Sequence, residues 1–471
     1  MARLPARAAA ATALAGAFLA GEWHPDAMAR RGKRALGDRR RWLADLARVV
    51  FHAYRERPAD RPRELARFVD ACDLFDTASR DPDRPLQVRV WMAAPTEMAP
   101  PPWPPRRFPW PVLHGVPDLA AWLGVTDAHL EWFADRRSFE RTASDERLRH
   151  YRRRWVAKAD GSSRLIEAPK HELKDLQRQV LHGILDRAPK DWAQASGSVG
   201  SGRSLHDFAE LHVGKQVVIR CDLEAFFAST TVGRVYGVFR WLGYPEPVAH
   251  HLAALCTTVT PRAVLRSAPR SASERHRRAL TRLAGPHLPQ GAPTSSSLAG
   301  LCMFRLDRRL YQLARGFEGR YSRYVDDLIF SGDADLLRGS RRFVRLVESI
   351  VRDEGYRLHA GKTRIRTAAQ RQTVTGLVVN AGLNVPRREY DQLRAVLHDA
   401  ARSGPEAANR AGHHDFRAHL QGRITWVAAG NPTRAAKLHA AFAAIPWPDH
   451  PTGSRGSEGG DRLGEDADRG L

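Results

Sequence analysis

Two adjacent aspartates, Asp326 and Asp327, stand between apolar, β-prone residues in the stretch RYVDDLIF, residues 323–330. This pattern predicts a hairpin with the acids at its tip. Adjacent carboxylates repel each other, and a divalent cation relieves that repulsion. An Asp-Asp pair alone is more typical of a solvated turn. A third carboxylate, Asp222, favours the metal site, because it ends a buried-strand pattern at 217–219.

One acid at a strand end and two at a hairpin tip make a ligand set for two Mg²⁺ ions about 3.5–4 Å apart, which activate an attacking hydroxyl and stabilise a leaving group. With these residues the sequence resembles the reverse transcriptases, whose palm carries Tyr-x-Asp-Asp, here from Tyr324, and an upstream metal-binding Asp. The resemblance implies that Asp222, Asp326 and Asp327 are catalytic. It also implies that the backbone carbonyl of Leu223 reaches a metal ion.

The resemblance covers residues 150–445 and implies an α+β fold, the right-hand polymerase, with fingers, a palm containing an antiparallel sheet, and a helical thumb. An N-terminal helical extension precedes it. The implied activity is RNA-directed DNA polymerase. The predicted organisation is a helical extension at 1–93, a Pro-rich linker at 94–115, fingers and palm at 116–385, a thumb at 386–446 and a disordered tail at 447–471. A basic, weakly patterned stretch at 260–287 is predicted to be an insertion or loop.

Two cations are predicted to hold the triphosphate of an incoming deoxynucleotide. Lys158 and Arg164 flank the hairpin signal Asp160-Gly161. They match the family's fingers hairpin, and neutralising the triphosphate charge is a physical reason for placing two cations there. On its own, a basic hairpin would be a solvated surface.

Three more side chains complete the predicted nucleotide site by resemblance. Phe227 lies five residues past Asp222, where an aromatic ring excludes a 2′-hydroxyl; Phe226 is the alternative if the register differs by one. Gln290, in a Leu-Pro-Gln-Gly-x-Pro-x-Ser motif that precedes a palm helix, would contact the nucleotide. Lys362, before Thr363, would protonate or neutralise the leaving pyrophosphate.

Two further motifs resemble those of the bacterial retron reverse transcriptases. Ala209 and His212 match an Asn-Ala-x-x-His motif, although Phe208 replaces the Asn, and Val-Thr-Gly ends in Thr375 and Gly376. Predicted RNA contacts are therefore His212, Thr375 and Gly376, together with Arg203 in a small-residue loop. The retron resemblance implies a structured non-coding RNA as primer and template, dNTP substrates, a branched RNA–DNA product, a role in anti-phage defence and a possible effector protein.

Two alternatives stay open at this point. One is another bacterial reverse transcriptase, either a defence-associated enzyme or a maturase, although a maturase would be expected to carry further domains after the thumb. The other is an RNA-binding protein that kept the fold and lost catalysis. Three clustered acids count against a pure RNA binder, because they repel a polyanion unless metal ions neutralise them.

Composition agrees with a polyanionic partner. The 471 residues carry a net charge of +23, a balance typical of nucleic-acid binding. Four scattered cysteines predict neither a disulfide framework nor a zinc site. No apolar run reaches membrane-spanning length, so we expect no membrane partner and a cytoplasmic location. The Ala-rich first 20 residues predict a helix rather than a signal peptide.

Overall fold

The computed structural model describes residues 6–37, 40–58, 62–92, 96–98, 109–158, 162–188, 196–197, 204–271 and 273–447. It divides into two compact units, Met1–Thr375 and Gly376–Leu471. Arg203, the turn at Asp160-Gly161 and the tail from residue 448 lie outside the described residues. Among the described helices, none combines the length and apolarity needed to cross a membrane.

Five helices at the start of the first unit pack around a core of their own: α1 Ala6–Leu19, α2 Pro25–Leu36, α3 Trp42–Ala53, α4 Pro62–Asp70 and α5 Asp73–Ser79. The prediction of an Ala-rich helix at the N-terminus is confirmed by α1, which buries Leu14 and Phe18 completely. Arg7 on the same helix pairs with Asp70 and with Asp76. The Ala-rich stretch is therefore a structural helix of this bundle.

The described end of the Pro-rich segment is anchored on the following domain. The indole N–H of Trp110 donates to the carbonyl of Leu242 at 3.2 Å. The hydroxyl of Tyr244 donates back to the carbonyl of Pro111 at 3.1 Å. Helices α6 Val116–Leu123 and α7 Asp127–Ala134 follow. Residues 110–111 are thus held by hydrogen bonds to buried backbone and side-chain groups.

A hairpin and a helix form the predicted fingers region. Strands β1 Tyr151–Ala157 and β2 Ser163–Pro169 pair antiparallel over their full length, and α8 His171–Gly183 follows. The helix buries Leu173, Leu176 and Val180 at helical spacing. Its polar face is left to solvent, as expected for an amphipathic surface helix.

The palm is a five-stranded sheet with the order β3-β5-β6-β4-β7. Its strands are β3 Ser196–Gly197, β4 Val217–Asp222, β5 Arg320–Tyr324, β6 Asp327–Gly332 and β7 Arg364–Thr367. The central strand β4 runs antiparallel to both β6 and β7. Strand β4 is paired along both edges and is almost wholly buried, which agrees with its run of apolar residues.

Helices connect the strands of this sheet. They are α9 Leu205–Glu210, α10 Phe226–Ser229, α11 Val232–Trp241, α12 Glu246–Leu255, α13 Arg262–Arg266, α14 Glu274–Leu283, α15 Ser295–Cys302, α16 Phe304–Arg315 and α17 Ala334–Asp353. Helix α17 packs on one face of the sheet through Phe343 and Phe330. The stretch at 260–287 was predicted to be an insertion or loop, and the loop prediction is wrong. It contains α13 and α14, whose apolar positions are too few to give a clear period.

The described residues of the second unit, 376–447, form helices and one short strand. Strand β8 Thr373–Val374 closes the first unit, and β9 Leu377–Val378 opens the second. Helices α18 Arg387–Ser403, α19 Pro405–Ala408, α20 Phe416–Gly430 and α21 Pro432–Ala443 follow. Leu393, Leu397, Leu420, Ile424 and Leu438 form the buried seam between them.

Candidate active site

The sheet register brings the three predicted metal-binding acids to one end of its central strands. Asp222 ends β4 and lies opposite Asp327, the first residue of β6. Asp326 lies in the two-residue turn between β5 and β6, since Tyr324 pairs with Asp327. The backbone N–H of Leu223 donates to the carbonyl of Asp326 at 3.0 Å, which ties the turn to the end of β4.

A buried ion pair supports this turn. Val325 has a φ of +54°, a left-handed conformation that a β-branched residue rarely adopts and that strains the backbone. Arg323, 1% exposed, donates to the carbonyl of Val325 at 2.9 Å. The same guanidinium makes two bonds of 2.8 and 2.7 Å to Asp307 of α16. The Arg323–Asp307 pair therefore fixes the turn that carries Asp326.

Arg220 holds the second acid of the hairpin. Its guanidinium makes a bidentate contact with Asp327, at 3.0 and 2.5 Å. Burial lowers the pKa of Arg220, but its hydrogen bond to Asp327 and the charges of all three acids outweigh that effect and raise it. Arg220 was not among the site residues predicted from the sequence. Its position two before Asp222 in a strand gave the signal, because residues i and i+2 share a face.

Lys362 contacts the upstream acid. Its Nζ lies 3.0 and 3.1 Å from the two carboxylate oxygens of Asp222. The backbone N–H of His359 donates to the carbonyl of Asp222 at 2.7 Å, so the loop that carries Lys362 is tied to the strand end. Lys362 was predicted to act at the leaving pyrophosphate, and the structure places it beside a metal-binding acid of the same site.

Asp326 is the one member of the three acids that forms no ion pair with the described residues. Burial raises its pKa to about 6, and the charges of Asp222 and Asp327 add to the rise. This is the repulsion that a divalent cation would relieve. Carboxylate oxygens are the ligands that hard divalent cations prefer, so the donor set fits the metal ions that the sequence predicts.

Within the described part of the chain, no three His, Cys, Asp or Glu side chains are grouped so as to hold a metal ion. Two of the three acids are in ion pairs instead: Arg220 contacts the carboxylate of Asp327, and Lys362 contacts that of Asp222. Protein cations thus balance two of the three acids in the ligand-free chain.

A cavity of about 390 Å³ opens beside the acids. Its lining includes Asp222, Leu223 and Asp326, but not Asp327. It also includes all five side chains predicted to contact the nucleotide: Lys158, Arg164, Phe227, Gln290 and Lys362. Their individual roles stay predictions, but the fold gathers them from four separate segments, the fingers hairpin and three others, into one cavity.

The two neighbouring phenylalanines differ in exposure, which bears on the register left open by the sequence. Phe226 is 4% exposed and packs against Tyr356 at a ring distance of 6.0 Å. Phe227 is only partly buried. Since both border the cavity, the less buried ring of Phe227 is the better placed to meet a ligand.

A buried polar network positions Gln290 against the fingers hairpin. The backbone N–H of Glu167, on β2, donates to the carbonyl of Gln290 at 2.8 Å. The carboxylate of Glu167 contacts Arg153 at 3.0 Å, His287 at 2.8 Å and Thr260 at 2.8 Å. These groups are almost fully buried, so each needs its partners. The network therefore joins the fingers hairpin to the palm.

Helix α14 forms one wall of the cavity, and this helix was not predicted from the sequence. Arg275 and His276 of this helix line the cavity, and Arg275 also contacts the ring of His359. Arg278 anchors the helix through a bidentate contact with the buried Glu224, with both distances at 3.0 Å. Glu224 stands two residues past Asp222, so this helix is attached directly to the catalytic segment.

The residues predicted to contact RNA differ in their exposure to solvent. His212 is fully buried, and its ring nitrogens lie 2.7 Å from Ser331 Oγ and 2.6 Å from Ser322 Oγ. Burial lowers its pKa to about 3. An RNA contact by His212 is therefore wrong: this side chain is a neutral bridge under the palm strands. Thr375 and Gly376 both have positive φ, +47° and +90°, and Gly376 is exposed.

Comparison with known proteins adds sequence relatives. Residues 156–381 match the family model "Reverse transcriptase (RNA-dependent DNA polymerase)". The chain is 39% identical over 338 residues to the retron Mx65 reverse transcriptase of Myxococcus xanthus, covering 70% of this chain and 72% of that protein. It is 39% identical over 302 residues to the retron Mx162 reverse transcriptase of the same organism, covering 61% of this chain and 59% of that protein.

Among solved structures, the chain is similar to telomerase from Candida albicans in complex with a fragment of telomeric RNA. The TM-score is 0.34 and the identity 11%, covering 63% of this chain and 56% of that one.

Replacing Arg323 with Leu should destabilise the protein by about 3–5 kcal/mol, because Asp307 would be left buried without its partner. The double variant Arg323→Leu, Asp307→Leu should recover most of that loss. Urea unfolding measures both. Polymerase activity should be lower than that of wild type in both variants, since the carbonyl of Val325 loses the donor that supports the turn. A single variant as stable as the double one would contradict the proposed role of the pair.

The raised pKa of Asp326 predicts a pH-dependent gain from Asp326→Asn. A raised pKa means that stability is lost as the acid ionises, between its ordinary value of 3.8 and about 6. In metal-free buffer the variant should match wild type near pH 4 and exceed it above pH 6.5, by at most about 3 kcal/mol. Asp327→Asn is the matched control, because it removes the contact with Arg220 and should bring no gain. Equal effects of Asp326→Asn at both pH values would refute the assignment.

Proposed function

Since this chain belongs to the retron reverse transcriptases and is an RNA-directed DNA polymerase, we propose that it copies part of a cognate structured RNA into single-stranded DNA. In this proposal the RNA serves as both primer and template. A 2′-hydroxyl of the RNA starts synthesis, so the DNA product remains joined to it through a branch. The substrates are dNTPs.

The observation that carries the proposal is the convergence at the end of β4. Two of the three acids, Asp222 and Asp326, line one cavity with the five predicted nucleotide contacts, and the third, Asp327, lies opposite Asp222 in the sheet. The lining therefore combines carboxylates that could hold metal ions with cations that could hold a triphosphate, and Lys362 contacts Asp222 directly. A protein that only bound RNA would have no use for three repelling carboxylates at this position.

We assign two Mg²⁺ ions to Asp222, Asp326, Asp327 and the carbonyl of Leu223. When bound, the ions would activate the attacking hydroxyl and stabilise the leaving oxygen. The chain itself contributes position and charge. The pair of Arg323 and Asp307 holds the turn, and Arg220 orients the carboxylate of Asp327.

The remaining cavity residues act on the nucleotide in this proposal. Lys158 and Arg164, both exposed at the fingers hairpin, would neutralise the triphosphate. Lys362, beside Asp222, would neutralise or protonate the pyrophosphate as it leaves. Gln290 would contact the sugar and base edge, with its backbone fixed by Glu167. Phe227 would exclude a 2′-hydroxyl.

The biological setting is part of the proposal. We infer a cytoplasmic enzyme whose partner is its own non-coding RNA, with anti-phage defence as its role and an effector protein as a further partner. The retron names of the relatives support the retron assignment on which this setting depends. The net charge of +23 supports the RNA partner.

Expression of the chain with its flanking genomic sequence should yield a small DNA that changes in size on RNase treatment. The double variant Asp326→Asn, Asp327→Asn should abolish it, because both hairpin acids lose their charge. Asp353→Asn, at an exposed position on α17, is the control and should leave it unchanged. Electrophoresis of extracted nucleic acids makes the measurement.

Two other outcomes would redirect the proposal. If no branched species appears but the purified enzyme extends a DNA primer on poly(rA), the polymerase activity stands and the branched product is refuted. If the enzyme is inactive in both assays and still binds RNA, the inert RNA-binding alternative replaces it.

Phe227→Ala should increase ribonucleotide incorporation relative to deoxynucleotides by about 10–100-fold, the range expected when a pocket loses its discrimination against one small group. Single-nucleotide extension with matched dNTP and rNTP measures the ratio. Phe226→Ala is the control: it should cost about 3–5 kcal/mol of stability, as for a buried ring, without changing the ratio. A changed ratio in Phe226→Ala alone would move the gate to that residue.

A further inference from the structure

A second cavity on the palm sheet is lined by four arginines. Arg220, Arg364, Arg366 and Arg371 surround a volume of about 390 Å³, with Val218 and Thr373 completing the lining. We call these four residues the arginine strip. None of the site residues predicted from the sequence belongs to it.

The strand register explains why the four side chains meet. Arg220 of β4 lies opposite Arg364 of β7, and Val218 lies opposite Arg366. Paired residues in a sheet point to the same face, and so do residues two apart in one strand. Three of the four arginines are therefore neighbours on one face of the sheet.

The fourth arginine is held by a structured loop. The side chain of Gln372 is fully buried and donates to the carbonyls of Lys215 at 3.0 Å and Arg366 at 3.1 Å. The N–H of Ala368 donates to the carbonyl of Gln216 at 2.8 Å. These bonds fix the loop after β7, so that Arg371 joins the cavity.

The charge of the strip is unbalanced within the protein. Among the described residues, Arg220 pairs with Asp327, whereas Arg364, Arg366 and Arg371 are exposed and form no ion pair. Like charges placed opposite each other on paired strands destabilise a sheet. A bound polyanion would remove this repulsion, and arginine is well suited to bidentate contact with phosphate.

The position of the strip identifies its ligand. Strand β4 passes Val218 and Arg220 before it reaches Asp222, and the nucleotide cavity takes its lining from Asp222 onward, with Leu223 and Phe227. The acids therefore lie between the nucleotide cavity and the strip. In an in-line displacement the attacking and the leaving oxygens lie on opposite sides of the reacting phosphorus, so the strand that carries the attacking hydroxyl would approach from the side away from the nucleotide's leaving group.

We propose that the arginine strip binds the phosphodiester backbone of the priming RNA strand. The inference rests on the proposed polymerase function and adds a binding site to it. Arg220 joins the two sites, because it contacts Asp327 and also lines the strip cavity. A seated RNA strand would thus be held next to the acids that act on its hydroxyl.

The test compares two variants with the same change in charge. One carries Arg364→Gln, Arg366→Gln and Arg371→Gln; the control carries Arg341→Gln, Arg342→Gln and Arg345→Gln. The control residues are exposed on α17. That helix covers the opposite face of the sheet, since its Phe343 packs against Phe330 at 4.9 Å. Arg220 is left unchanged because it contacts a catalytic acid.

The probe is a fluorescent RNA hairpin with a 5′ overhang, without nucleotides and in EDTA. Fluorescence anisotropy gives its affinity between 50 and 300 mM KCl. Each lost phosphate contact lowers the slope of log K against log salt by about 0.7–0.9. The strip variant should therefore lose about 2 to 3 units of slope and bind about tenfold or more weakly at 100 mM KCl. The control should lose less than 1 unit.

A strip variant with the slope of wild type, or of the control, would overturn the proposal. A change in binding seen with single-stranded DNA of the same sequence but absent with RNA would also overturn it.

If the triple variant fails to fold, the single variants Arg366→Gln and Arg371→Gln replace it, each with an expected loss of about 0.7–0.9 in the slope of log K against log salt. The KM for dNTP at saturating RNA should stay within about twofold. Failure of the wild type to extend any primer would count against the polymerase function, while the binding slopes would still test the strip.

Discussion

The mutual repulsion of three carboxylates at the end of two paired strands is the constraint on which the surrounding structure depends. The register that places Asp222 opposite Asp327, and the turn that adds Asp326, put three acids where burial makes their charge costly. Two cations balance this charge: Arg220, on the strand that ends in Asp222, and Lys362, from a loop near β7. The ligand-free site is therefore organised around internal ion pairs, and the acid without such a partner, Asp326, has the raised pKa.

The same site depends on backbone geometry that the fold must hold in place. The strained turn at Val325 is held by the buried guanidinium of Arg323, which donates hydrogen bonds both to Asp307 and to the carbonyl of Val325. On the other side of the cavity, Glu167 and its three partners join the fingers hairpin to the segment of Gln290. Both the Arg323 and the Glu167 networks are buried and polar. Each fixes one arrangement of its segments, because loss of one partner leaves a buried polar group unpaired.

The sequence was informative where chemistry follows local spacing and much less so where contacts are long-range. The motif order implied the fold, and because each acid and each of the five cavity residues belongs to a short motif, the sequence could single them out; the structure brings them close together, and their roles stay predictions. His212 was misjudged because the match of a motif says nothing about burial beneath strands more than 100 residues away. Helix α14 was not predicted because its sequence is rich in arginine and has few apolar positions. The helix is anchored by the ion pair of Arg278 with Glu224 and not by a hydrophobic stripe.

The arginine strip gives this architecture a direction along β4. From the chain's own residues, the order is arginines, then acids, then the nucleotide cavity. Arg220 lies at the junction, and its two roles compete: the guanidinium that balances Asp327 also lines the cavity where a phosphate would bind. A phosphate at that position would draw on the same donors, loosening the contact with Asp327 and freeing that carboxylate for a metal ion. Seating of the RNA strand and assembly of the metal site would then be coupled through one side chain, because an ion pair shared between two anions holds each of them less tightly.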